Sequence, residues 1–419
     1  MSFTIPYGKS TVTFDLPNSQ TADIIAPQSI PGADHPLEMV KDALDHPVGD
    51  LRIGQLQPIR TAAIAINDKT RPVPHELLLP PLLKWLEKMG VAPSNTKLLV
   101  ASGTHTPMMK DEYPQILPQS IVRNYPISSH DCEDAANLVN LGVTSRGTPV
   151  QINRQFMEAD LRIVLGDIEP HHFMGFSGGV KSAAIGLASR ETITRNHSML
   201  PDPMSRTAEY ERNPMRQDLE EIGDLIGVHL ACNAILNTKK EIVRVIAGQP
   251  RAVMQAGIPL SRSICQVEVG HRYDLVIASA GGHPKDINFY QAQKALTHAA
   301  MLTRSGGVVI LAVACPEGVG SEGYARWMEG VSSQAEAMQR FQREGFQVGP
   351  HKAFLVARDA TRIRVILVSD MEGATVERLL LEHSPSISDA VAKVQSFHPG
   401  DLEIAILPNA VATIPLVRE

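Results

Sequence analysis

LRIVLGDIEPHHFMGFSGGVKSAAIGLASRETITRNH, residues 161–197, is the stretch on which the reading of this chain turns. Leu161–Leu165 is an apolar run of strand length, closed by Gly166. Gly175, Gly178 and Gly179 then give a loop whose backbone can approach a ligand closely. Lys181 stands at the expected start of a helix, with the small residues Ser182, Ala183 and Ala184 behind it. A strand, a glycine loop and a helix start predict an anion cradle, because free N–H groups and the helix dipole point the same way. Ser177, Gly178 and Gly179 are expected to line it and to hold a phosphorylated cofactor. Two common phosphate motifs are excluded. A P-loop needs Gly directly before the Lys, and Val180 is there instead; the G-x-G-x-x-G dinucleotide spacing is also absent.

Working outward, 61–67 and 97–101 are apolar runs of the same kind. The first ends in Asp68-Lys69-Thr70-Arg71-Pro72 and the second in Ser102-Gly103-Thr104-His105-Thr106-Pro107. Helical patterns lie before the first, at 33–50, and between the two, at 73–90. Strands alternating with helices predict a parallel sheet, and in such sheets ligands sit beyond the C-terminal strand ends. Asp68, Arg71, His105 and His171 all follow strands, so they are expected to converge. A second α/β pattern opens near 270, with strands at 273–279, 307–314, 353–357, 363–368 and 402–407, and a helix from about Asn288 to Leu302. The expected domains are 1–268, with the tail 405–419 returning to it, and 269–404. The first 20 residues read as a hairpin around Tyr7-Gly8.

The composition bounds the function. Hydrophobic residues make up 43% of the 419, ample for a core, and the 30 Gly and 30 Pro are dispersed. The net charge of −6 and the lack of a long basic run argue against nucleic acid. None of the four cysteines forms a C-x-x-C pair, which speaks against a structural zinc site or a disulfide framework. With no signal-peptide pattern and no membrane-length apolar run, a cytoplasmic protein is expected.

Arg71 is suited to a bidentate grip on a carboxylate, and Asp68 to a ribose hydroxyl or to Arg71 itself. His105 and His171 are loop histidines suited to acid–base work. His197 is a candidate metal ligand, sufficient alone only where a cofactor already holds the metal. On the helix after 288, Tyr290, Gln291 and Lys294 share roughly one face near the N-terminus, where a small carboxylate is favoured.

Asp68-Lys69-Thr70-Arg71, Gly103-Thr104-His105, Glu169 to Lys181, Asn196-His197 and Asp286 to Lys294 together resemble the lactate racemase family, which depends on a nickel-pincer nucleotide. The resemblance is ordered and spans about residues 60 to 300. It implies two α/β domains with mainly parallel sheets and a site in the cleft between them. It also implies a racemase or epimerase inverting C2 of a 2-hydroxy acid by hydride transfer. The cofactor would be the nickel complex of pyridinium-3-thioamide-5-thiocarboxylic acid mononucleotide, tethered at Lys181 and ligated by His197. His105 and His171 would be the acid–base pair, with His171 chosen over His172 by its spacing to Lys181. Arg71, Tyr290, Gln291 and Lys294 would bind substrate or surround the cofactor. Cofactor-biosynthesis proteins are implied partners, and protein from a host lacking them would be apo. The chain departs from the family pattern at Val180 and Thr106, where relatives carry arginine at one or both places. Phe354 is one candidate for a second-domain aromatic beside the site. The competing reading is a nucleotide- or organic-acid-binding protein, or a dehydrogenase-like enzyme, without nickel-pincer chemistry. The particular 2-hydroxy acid and any homo-oligomer are left open.

Overall fold

Short apolar runs closed by turn residues build the first sheet. Ala62–Ile66, Thr96–Val100 and Leu161–Asp167 are buried along nearly their whole length, as expected of parallel strands covered on both faces. In the computed structural model, which describes residues 1–17, 20–51, 53–56 and 58–418, they lie within a six-stranded sheet. Its order is Ile242–Gly248, Leu230–Leu236, Leu161–Asp167, Ala62–Ile66, Thr96–Val100, Ile127–Ser129. Every pairing is parallel except that of the edge strand Ile242–Gly248. Ile66 pairs with Val100 and Ala65 with Val164, so the loops carrying Asp68, His105 and the glycines leave the same edge. The helices Pro36–Asp45 and His75–Lys88 bury Val40, Leu44, Leu78, Leu82 and Leu86 in one core with Ile64, Leu98 and Ile163.

The second sheet runs Glu382–Ser384, Arg364–Val368, Thr303–Ala312, Tyr273–Ser279, Ile404–Leu407, Ala22–Ile24. All of its pairings are parallel. The chain divides into two compact units, Ser29–Ile264 and Met1–Gln28 with Cys265–Glu419. Two sequence expectations are corrected here. The tail does not return to the first unit: Ile404–Leu407, buried at every position, pairs with Tyr273–Ser279 and Ala22–Ile24, and Ile414–Val417 pairs with Gln266–Val269. Nor do the first 28 residues belong to the first unit. The hairpin Ser2–Tyr7 and Ser10–Asp15 forms as expected, but it buries Phe3, Ile5, Phe14 and Leu16 with Leu275, Ile277 and Ile310 of the second sheet.

A third correction concerns 353–357, expected as a strand. It lies inside the helix Pro350–Ala360, and all five of its side chains are buried. An apolar run buried all round carries no period, and Pro350 in the first turn was the local sign of a helix. Phe354 is 2% exposed and stacks on Phe341 at 4.7 Å, so it is a core residue of its unit. No helix among the described residues is long and apolar enough to cross a membrane.

Candidate active site

Asp68 and His105 leave adjacent strands and meet. His105 Nδ1 donates to Asp68 Oδ2 at 2.7 Å, while the Thr70 hydroxyl and amide donate to Oδ1 at 2.7 and 3.1 Å. Burial pushes the Asp68 carboxyl up, but the bonds from His105 and Thr70 and the His105 charge outweigh it, so its pKa sits below the ordinary value. Asp68 is therefore a carboxylate that fixes the His105 proton on Nδ1 and leaves Nε2 as the basic nitrogen. The His105 side chain is 46% exposed. Asp68 was expected on a ribose hydroxyl or on Arg71; both of its oxygens are instead engaged by His105 and Thr70. Arg71 closes the same loop, its amide donating to the Asp68 carbonyl at 3.1 Å.

His171 is buried and differently held. It lies in the two-residue strand Pro170–His171, paired with Gly175–Phe176. The Met174 amide donates to its Nδ1 at 3.2 Å, which places the proton of the neutral ring on Nε2. Phe173 meets His171 edge-on at 4.5 Å and His197 at 5.5 Å, so one aromatic ring joins both histidines. His172, stacked on His171 at 5.2 Å, is only half-buried. The helix Arg190–His197 starts at Ser189, whose side chain accepts the Thr192 amide, and ends by burying His197. Burial first, then the Lys181 charge, pushes His197 down to about 3. It is a neutral imidazole at ordinary pH, the form that ligates metals.

The glycine loop is held by packing. A Cβ on Gly178 would meet Ile168 at 2.6 Å, and one on Gly179 would meet Met254 at 2.8 Å and the Arg216 guanidinium at 2.9 Å. The Gly179 amide donates to Asn233 Oδ1 at 2.8 Å, so this N–H is not offered to an anion as the cradle reading expected. The Ser177 hydroxyl accepts the Glu169 amide at 2.9 Å and lies 2.9 Å from the Asp167 carbonyl. It closes the loop rather than lining it. Val180 is buried against Gly223. The helix that follows, Lys181–Ala184, is a single turn.

Lys181 itself is half-buried. Burial, then the charges of Arg71 and Arg216, hold its amine well below the ordinary lysine value, against Asp167 and Glu169. Such an amine has a larger nucleophilic fraction than a solvated one. Asp167 was missed as a chemical group in the sequence. Burial and the Glu169 charge push it up to about 7, against Lys240 and Arg71. Its signal was a carboxylate closing a buried strand directly before the loop.

In the second unit, Asn288 caps the helix Phe289–Leu302 by accepting the Gln291 amide at 3.1 Å. Lys294 Nζ donates to Gln291 Oε1 at 3.0 Å, so Gln291 and Lys294 share a face as expected. The Lys352 ammonium lies 5.4 Å from the Tyr290 ring centroid, and His351 meets that ring edge-on at 6.1 Å. Both come from the helix Pro350–Ala360, whose misreading as a strand hid them.

A carboxylate-held imidazole, a second imidazole of opposite tautomer and a lysine biased toward its neutral form follow the ends of parallel strands. Such a set is of the kind that α/β enzymes use for acid–base chemistry. Residues 7–208 match the lactate racemase N-terminal domain and 269–415 the lactate racemase C-terminal domain. The lactate racemase of Thermoanaerobacterium thermosaccharolyticum is 31% identical over 427 residues, covering 99% of each chain. That of Lactiplantibacillus plantarum is 29% identical over 420 residues, covering 98% of each. The solved lactate racemase apoprotein of T. thermosaccharolyticum superposes with a TM-score of 0.91 at 30% identity, covering 100% of both chains. A protein from Thermotoga maritima, at 15% identity and a TM-score of 0.66, covers 93% of this chain and 100% of its own; it shares the fold alone. The chain belongs to the lactate racemase family.

Proposed function

We propose that this protein inverts C2 of a 2-hydroxy acid, with a nickel-pincer nucleotide joined to Lys181 and its nickel ligated by His197. The observation that carries this reading is the pair of histidines, His105 and His171, each held in place at Nδ1 by its own partner. Inversion needs one group to accept the hydroxyl proton and another to serve the mirror-image substrate. His105 offers a basic Nε2 with its proton held on Nδ1 by Asp68, and His171 is a second imidazole, fixed through Nδ1 by a backbone amide. The donor set fits the implied cofactor: an amine held toward its neutral form is suited to acyl attachment, and a buried neutral imidazole is suited to a soft metal. When bound, the cofactor supplies a reversible acceptor for the C2 hydride. The chain supplies the rest: proton transfer at the hydroxyl by His105 and His171, and carboxylate binding by Arg71. Lactate is the first substrate to test, since both curated relatives are lactate racemases.

Protein co-expressed with the cofactor-making enzymes should invert lactate or another 2-hydroxy acid in heavy water without taking up deuterium at C2. Substrate deuterated at C2 should keep its label in both stereoisomers and react more slowly. Rapid wash-in of solvent deuterium at C2 would mean proton abstraction from carbon, and the nickel-pincer reading would fall.

A further inference from the structure

The helix Pro214–Ile226 lies outside every motif of the sequence reading, yet it carries three charged residues that are almost wholly buried: Arg216, Asp218 and Glu220. Each is committed. Arg216 Nε and Nη2 donate to Glu220 Oε1 at 2.9 and 2.5 Å, and the Tyr210 hydroxyl donates to the same oxygen at 3.0 Å. Asp218 accepts from Thr144, Thr148 and the Asn196 side chain at 2.6, 2.9 and 2.8 Å, which holds the residue beside His197. At the helix start, the Asn213 side chain donates to the Phe173 carbonyl at 2.8 Å.

Arg216 does one thing more than pair with Glu220. Its Nη1 donates to the Phe176 carbonyl at 3.0 Å and its Nη2 to the Gly178 carbonyl at 3.2 Å. The Gly178 carbonyl also accepts the Lys181 amide at 3.4 Å. One guanidinium is thus a single atom away from the backbone that places Lys181. The loop needs such a hold, because Gly178 and Gly179 both have positive φ, 79° and 57°, and glycine resists loosening less than any other residue. Only a planar fork reaches two carbonyls and a carboxylate together; an ammonium cannot. A buried ion pair is not needed for stability, since apolar residues of similar volume often serve as well or better. The loop carbonyls give the pair a purpose that apolar residues cannot serve.

We propose that Arg216 is a positioning residue that fixes the glycine-rich loop, and through it Lys181, for attachment of the nucleotide. The attachment half of this inference rests on the function proposed above; the loop half does not.

The test compares wild type with Arg216→Met/Glu220→Leu, which removes both buried charges, and with Arg216→Lys. The readouts are thermal unfolding, amide hydrogen exchange of residues 176–181 against the strand 161–165 in apoprotein, and the rate of the Lys181 mass adduct with the nucleotide. The double variant should melt cooperatively near wild type. Its loop amides should exchange about ten-fold faster or more while the strand stays protected, and adduct formation should slow by about 10²-fold. Arg216→Lys should loosen the loop by a smaller factor with the melt retained, and it carries the test alone if the double variant does not fold. A folded variant whose loop exchange and adduct rate match wild type would reduce Arg216 to an ordinary salt bridge. If wild type itself forms no adduct at Lys181, the proposed function fails, while loop exchange still decides whether Arg216 holds the loop.

Discussion

His105 stands half open to solvent with Nδ1 against the Asp68 carboxylate, whereas His171 is buried with Nδ1 accepting the Met174 amide. The side chain is the same and the first partner is opposite in polarity. A carboxylate acceptor draws the ring proton of a neutral imidazole to Nδ1; an amide donor drives it to Nε2. The difference teaches that which ring nitrogen of a histidine is left basic is set by what its far nitrogen touches.

The largest expected effect tests whether the pair has anything to act beside. Lys181→Ala should lose both the cofactor mass adduct and all racemisation, checked by intact mass and chiral product assay; full activity would end the assignment. Next, His171→Ala should lower kcat/KM by about 10²–10⁴-fold, equally in both directions, because enantiomers are isoenergetic. His172→Ala should change little, and the reverse pattern would exchange the two residues. Asp68→Asn keeps the shape but removes the charge that holds the His105 proton. It should cost about 10²-fold in kcat with the Lys181 adduct intact; unchanged kcat would mean that the carboxylate does not set the role of His105.

The smallest effect takes the comparison to its limit, a buried histidine with no carboxylate bond. Burial pushes His75 down to about 4, against the bond to the Ile116 carbonyl. The unfolded chain, near 6.5, therefore binds the proton first. Stability is complete above 6.5 and falls as pH drops toward 4, by roughly 3 kcal/mol at full extent. His75→Gln should flatten that part of the acid melt, read as the difference in unfolding free energy between variant and wild type. Parallel curves would refute it.

Much of the first unit was legible because its strands are short apolar runs that stop at Asn67-Asp68, Ser102-Gly103 and Asp167. Chemistry-bearing residues follow each stop, and parallel topology gathers them. The glycine loop was legible as a loop but not in its purpose, since sequence does not say where an amide points; that of Gly179 points at Asn233. Arg216 stayed hidden because a charge in a helix reads as solvated. Gly223, seven residues on along the same stripe, was the one hint of close packing there, against Val180. The helix at 350–360 was missed because an apolar run buried on all sides has no period. The partner of Ala22–Ile24 is some 380 residues away, and no local pattern encodes a pairing of that separation.

That last pairing has a consequence for how the protein is made. The strand Ala22–Ile24 is synthesised long before Ile404–Leu407, its neighbour in the sheet among the described residues. At about 5–20 residues per second, the opening hairpin and strand wait some tens of seconds while a complete unit, Ser29–Ile264, is synthesised and able to fold between them. Until then the apolar side of the hairpin, with Phe3, Ile5, Phe14 and Leu16, has no core to enter. This stretch of the nascent chain is therefore exposed to chaperones and to aggregation while the unit between is made, and the second unit closes only after Ile404–Leu407 has been synthesised.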